Sequence, residues 1–100
     1  MKKDVKALIK RLTLLAKIME TGKGWFSIDG SGYTWFSTER PCFFPSGHSE
    51  SLDYWNILER GIFRGISTLD NMPLSMVCPN LPSSKALFYT DGVNVWLIDL

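Results

Sequence analysis

The stretch Ala86-Leu87-Phe88-Tyr89-Thr90-Asp91-Gly92-Val93-Asn94-Val95-Trp96-Leu97-Ile98 decides the fold class. Two runs of β-branched and aromatic residues flank Asp91-Gly92. That dipeptide tolerates positive φ and is the strongest short-range signal for a β-hairpin. The last run is apolar at nearly every position, so Val93–Ile98 is expected as a central strand, covered on both sides. A second hairpin is expected over residues 25–38. There Trp25-Phe26-Ser27-Ile28 and Tyr33-Thr34-Trp35-Phe36-Ser37-Thr38 flank the turn-forming Asp29-Gly30-Ser31-Gly32. Side chains alternate across a strand, so Tyr33 and Trp35 share one face and Thr34 and Phe36 the other. Aromatic rings are therefore expected on both faces of this sheet.

Upstream of the hairpins, residues 4–20 carry apolar side chains at helical spacing: Val5, Leu8, Ile9, Leu12, Leu15, Ala16 and Met19. Gly22 and Gly24 supply the stop. At about 100° per residue, Lys3, Lys6, Lys10 and Lys17 fall in one stripe opposite that face. Beside the stripe run Ala7, Leu14 and Ile18, a minor apolar strip that the main face does not absorb. A second helix is expected over 51–68, with Ser49 or Ser51 as its cap and Leu52, Trp55, Leu58, Ile62, Phe63 and Ile66 as its apolar face. Glu59 interrupts that face unless the helix breaks near Gly61 and leaves it at the end of a first helix, since Gly61 and Gly65 weaken the second half by about 1 kcal/mol each. Between hairpin and helix lies residues 39–50, a loop whose Pro41 and Pro45 bar a central strand. A turn at Asp70-Asn71-Met72-Pro73 and a short strand over Leu74–Cys78 complete the series. The expected architecture is α+β, in the order α-β-β-α-β-β-β. Two helices pack on one face of a mainly antiparallel sheet of about five strands. The 100 residues suit a single domain spanning 1–100.

Composition narrows the function classes. No apolar run approaches the length of a membrane span. Lysines and an arginine interrupt the N-terminal segment too often for a signal peptide. Two cysteines, Cys42 and Cys78, are too few for a disulfide scaffold, and no second pair completes a zinc site. The expected setting is a reducing cytoplasm with two free thiols, although a Cys42–Cys78 bridge is not excluded by spacing. Charge is unevenly spread. Residues 1–23 hold seven basic side chains against two acidic ones, a net +5, and the remaining chain has a net −4. A basic helix at one end can steer toward an acidic protein, a nucleic acid or an anionic surface, although most lysine stripes are simply solvated.

Reactive chemistry is sparse. His48 is the sole histidine, and with Cys42 it could form a thiolate–imidazole pair only if folding brought the two together. A lone histidine in a polar loop is ordinarily just solvated. Thr21-Gly22-Lys23-Gly24 lacks the earlier glycine of a phosphate loop and follows a helix instead of opening one. Glu59 has no second carboxylate at a fixed spacing. No catalytic residue, cofactor or metal is assigned.

Rings, by contrast, are abundant. Thirteen aromatics, four of them Trp, exceed what one small core houses. Arg, Tyr and Trp dominate binding hot spots, and Phe43-Phe44 sits in a stiff segment between two prolines. Small aromatic-rich domains without catalytic motifs include inhibitors, immunity proteins and adaptors, many from phages and mobile elements, and this likeness of style sets the expectation. The expected role is a protein-binding inhibitor or adaptor. It would dock on a larger protein, acidic or nucleic-acid-associated, through Arg40, Phe43, Phe44, Tyr54 and Trp35, with Lys6, Lys10 and Lys17 steering. Second comes a nucleic-acid-binding module using the basic helix, and third a small enzyme using Cys42 or His48.

Overall fold

The computed structural model describes residues 3–18, 23–31, 33–49, 52–66 and 86–98. The element order is α1 (Lys3–Ile18), β1 (Gly24–Ile28), β2 (Thr34–Ser37), β3 (Cys42–Phe44), β4 (Tyr54–Asn56), β5 (Phe63–Gly65), β6 (Ala86–Thr90) and β7 (Val95–Leu97). Five strands form one antiparallel sheet in the order β5-β2-β1-β6-β7, and β3 pairs with β4 in a small second sheet. The class is α+β with a mainly antiparallel five-stranded sheet, as the alternating apolar runs imply.

Both expected hairpins form. In the first, Phe26 faces Phe36 across β1 and β2. Its turn is held by Asp29, whose carboxylate accepts the backbone N–H groups of Ser31 and Tyr33 at 2.9 and 3.0 Å. In the second, Gly92 takes φ 95°, the left-handed conformation the turn demands. Asp91 accepts the N–H groups of Asn94 and Val93 at 2.7 and 2.9 Å. Those donors, Asn94 foremost, hold its carboxyl below the usual carboxylate range. The ionised form thus supports the turn above that range, and the support is lost as pH falls through the lowered value.

Helix α1 lies on one face of the main sheet. Leu8, Leu12, Leu15 and Ala16 pack with Phe26, Ile28, Phe36, Ile66, Ala86, Phe88 and Val95 in a single buried cluster. Lys6, Lys10 and Lys17 are exposed on the far side of the helix, as are Ala7 and Leu14 of the minor strip. The side chain of Lys3 lies outside the described set.

Strand alternation puts a different set on the second face. One row runs Phe63–Ser37–Trp25–Tyr89–Trp96 and the next Gly65–Trp35–Ser27–Leu87. Ser27, Ser37 and Leu87 are fully buried there. The hydroxyls of Ser27 and Ser37 have no hydrogen-bond partner among the described residues. An unpaired buried hydroxyl is a cost, so Ser27→Ala and Ser37→Ala are each expected to leave stability unchanged or raise it by up to about 1 kcal/mol. Urea unfolding checks this. A loss of more than about 1 kcal/mol in either variant would mean that the hydroxyl is bonded.

Four expectations are corrected. The helix over 51–68 does not form; its described residues give β4, a bent return and β5. Of its supposed apolar face, Trp55 and Ile66 are buried, while Leu52, Leu58 and Ile62 are exposed. Aromatic and β-branched residues suit strands at least as well as helices, and with Gly61 and Gly65 the helix had little intrinsic support. Long-range strand pairing, Phe43 with Trp55 and Phe36 with Arg64, prevails. Glu59 is exposed and interrupts no buried face. The loop over 39–50 contains a strand, Cys42–Phe44, fitted between its two prolines. The last strand is not central: among the described strands, β7 is an edge of the sheet. The helix count is therefore one among the described residues. The expected turn at 70–73, the strand over Leu74–Cys78 and the state of Cys78 fall outside them, while Cys42 carries a free thiol.

Candidate functional site

The chain leaves the main sheet after β2 and returns at β5, and the ends of this excursion are clamped together. The Thr38 N–H donates to the Ile62 carbonyl at 3.0 Å, and the Ile62 N–H donates to the Thr38 hydroxyl at 2.9 Å. Two further contacts tie the excursion to opposite ends of β1. The Arg40 guanidinium sits 5.3 Å from the centre of the Trp25 ring, a cation–π arrangement. The Trp55 indole N–H donates to the Ile28 carbonyl at 2.8 Å. Just beyond β1, the Gly30 N–H donates to the Asp53 carbonyl at 3.0 Å.

Within the excursion, β3 and β4 put alternate residues on opposite faces. Phe43 meets Trp55 edge-on at 5.1 Å, on the anchored side. Phe44 stacks on Tyr54 at 5.0 Å and 13°. Phe43 and Phe44 thus do not both point inward, as their position between prolines suggests. The connection from β3 to β4 is organised by two polar side chains. The Asp53 carboxylate accepts the Ser46 N–H at 2.8 Å. The Ser46 hydroxyl donates to the Ser49 carbonyl and accepts the N–H groups of His48 and Ser49.

Four large apolar side chains of the excursion stand in solvent. Leu52 is 58% exposed, Tyr54 49%, Leu58 75% and Ile62 49%. Isolated exposed leucines are ordinary, but four within eleven residues make a concentration that soluble surfaces usually avoid. Leu52, Leu58 and Ile62 were not expected in the site, because helical spacing assigned all three to a buried face. Only their exposure in the non-helical fold of this segment reveals them.

A second set of rings lies on the outer face of the main sheet. Trp25 meets Tyr89 edge-on at 4.9 Å, and Tyr89 stacks on Trp96 at 5.9 Å and 18°. Trp96, at the β7 edge, is 47% exposed. Trp35 is half-buried, stacked on Phe63 at 5.1 Å, and its indole N–H donates to the Asp29 carboxylate at 2.9 Å. Asp29 therefore positions this ring as well as the turn.

The expected site residues do not all converge. Arg40, Phe43, Phe44 and Tyr54 share the excursion, and Trp35 belongs to the outer face of the main sheet. Lys6, Lys10 and Lys17 face solvent from the helix, which covers the other face. The sheet therefore stands between the lysine stripe and the aromatic row. Cys42 pairs in register with Asn56, and His48 is exposed in the connecting loop. No group of three or more His, Cys, Asp and Glu among the described residues could hold a metal ion. No described helix is long and apolar enough to cross a membrane. The chain matches no protein-family model, no curated protein and no solved structure.

Proposed function

We propose that this chain is a protein-docking module, an inhibitor or adaptor, that binds a larger protein through the excursion between β2 and β5. The exposure of Leu52, Tyr54, Leu58 and Ile62 on one clamped segment carries this reading. Anchoring by Trp55 and the Thr38–Ile62 clamp holds the segment in shape before it binds, which lowers the ordering cost of association. Phe44 and Tyr54 supply a stacked pair at its surface, and Arg40 adds a cation held against Trp25. The lysine stripe lies behind the sheet, so its part is long-range attraction toward an acidic partner and not direct contact.

The test compares partner capture from the native host by the wild-type chain and by Leu58→Asp with Tyr54→Ala. Both positions are exposed, so the melting midpoint is expected to move little, within what surface substitutions usually cost, about 0.5 kcal/mol each. Affinity for the captured protein is expected to fall by about 30-fold or more, the loss from one hot spot of about 2 kcal/mol. Equal capture by a folded double variant would remove the excursion as the docking surface.

A further inference from the structure

Among the described strands, the two edges of the main sheet differ in kind. At β5 the exposed Arg64 stands in the middle of the strand, a charge of the sort that discourages edge-to-edge pairing. At β7, residues Val93 to Ile98 include neither a charge nor a proline, and Val93 and Trp96 are exposed. The ladder fixes which backbone groups this edge presents. The Ile98 N–H donates to the Leu87 carbonyl at 2.8 Å, and the Asp91 N–H donates to the Asn94 carbonyl at 3.3 Å. With Tyr89 opposite Trp96, residues 94, 96 and 98 turn their N–H and C=O groups toward β6. Val95 and Leu97 therefore turn theirs outward.

From this geometry we infer that β7 pairs with β7 of a second copy of this chain, antiparallel about a twofold axis at Trp96. Val95 then lies opposite Leu97 of the second copy, and each such pair exchanges both of its outward N–H···O=C bonds. Four bonds form with no outward group of these two residues left over. Trp96 lies opposite its symmetry mate as a non-hydrogen-bonded pair, with α-carbons about 4.5 Å apart and side chains on the same face. That face already carries Trp25, Tyr89 and Trp96 in a row, which continues unbroken across the axis. The flanking pair is Asn94 with Ile98, so residues 94–98 bring no like charges together. A twofold axis makes the contact self-complementary and closed, so it stops at a dimer. A three-residue strand and one ring per copy bury less than the roughly 1,200 Å² of a stable interface, so the dimer is weak and concentration-dependent.

The test is sedimentation velocity on the full chain from about 1 µM to about 1 mM, the range in which weak association shows. A reversible monomer–dimer equilibrium is expected. Trp96→Lys, which sets two ammonium groups together at the axis, is expected to weaken it at least tenfold, with circular dichroism confirming the fold. Amide exchange supplies a readout that does not depend on the variant. On dimerisation, protection is expected to rise at Val95 and Leu97 but not at Trp96, which is already bonded within the sheet. Leu58→Asp, in the proposed docking segment, is expected to leave the dimer intact, so loss of one surface is separable from loss of the other. A monomer at every concentration would overturn the inference and leave the edge to an extended segment of another protein. A dimer that persists in folded Trp96→Lys, or protection without the alternation, would overturn it equally.

Discussion

Trp55→Ala is expected to cost about 3–5 kcal/mol of folding stability, the largest loss from any single truncation considered. Trp55 is 4% exposed, and it is the buried ring through which the excursion grips the main sheet. Three losses combine. The indole's burial disappears and leaves a cavity. The edge-on contact with Phe43 goes, a pair worth about 0.5–1.5 kcal/mol beyond its area. The Ile28 carbonyl loses the indole donor at 2.8 Å but keeps its ladder partner across from Ala86, so this loss is that of an ordinary hydrogen bond, about 0.5–1.5 kcal/mol. Trp55→Phe separates these effects, because it keeps most of the ring and removes only the donor. Its expected cost is about 0.5–1.5 kcal/mol, one hydrogen bond's net worth. Chemical denaturation measures both. For a domain this size, the alanine variant should lower the melting midpoint by roughly 12 °C or more. If Trp55→Ala unfolds within about 1 kcal/mol of wild type, the excursion is not anchored through this ring, and the preorganisation claimed for the docking segment goes with it.

Gly24→Ala is expected to cost about 3 kcal/mol, at the upper end of what overpacking usually does. The position needs glycine for space. A β-carbon there would lie 2.3 and 2.4 Å from Phe36 Cζ and Cε2, and 2.8 Å from the Ser37 carbonyl oxygen. Neither neighbour can yield cheaply. The oxygen is backbone, and the Phe36 ring is 1% exposed and set edge-on against Phe26 at 5.4 Å in the core. Displacing the ring disturbs the layer on which α1 rests, so the effect should spread beyond β1. Phe36→Leu in the same chain removes the obstructing ring atoms. The double variant is therefore expected to lose at least about 1 kcal/mol less than the two single losses added together. Strict additivity would mean that the ring is not what the new methyl meets.

The two hairpins were legible in sequence because their determinants are local. Asp91-Gly92 and Asp29-Gly30 carry the turn chemistry, and the β-formers on either side leave little alternative. Helix α1 was legible for the same reason, with Leu8, Leu12, Leu15 and Ala16 on the face that the sheet buries. The segment 52–66 was misread because spacing of three and four is only a pattern until something covers it. Leu52, Leu58 and Ile62 meet that pattern, yet they are exposed, while Trp55 is buried by partners 12 and 27 residues away. The docking segment proposed here therefore could not be composed from spacing. Phe44 and Tyr54 were singled out as residues, but their stacking depends on the register of β3 with β4.

By itself, the chain's order of residues determined the elements whose hydrogen bonds close within a few positions: one amphipathic helix, two tight turns and the alternation of faces along their strands. Tertiary structure alone decided which strand is an edge, which rings are sealed, and that the lysines and the aromatics lie on opposite sides of one sheet. The physical reason is that burial belongs to pairs of surfaces. A run such as Val95-Trp96-Leu97 carries the same side chains at the centre of a sheet or at its rim, and only the neighbours that arrive from elsewhere in the chain distinguish the two.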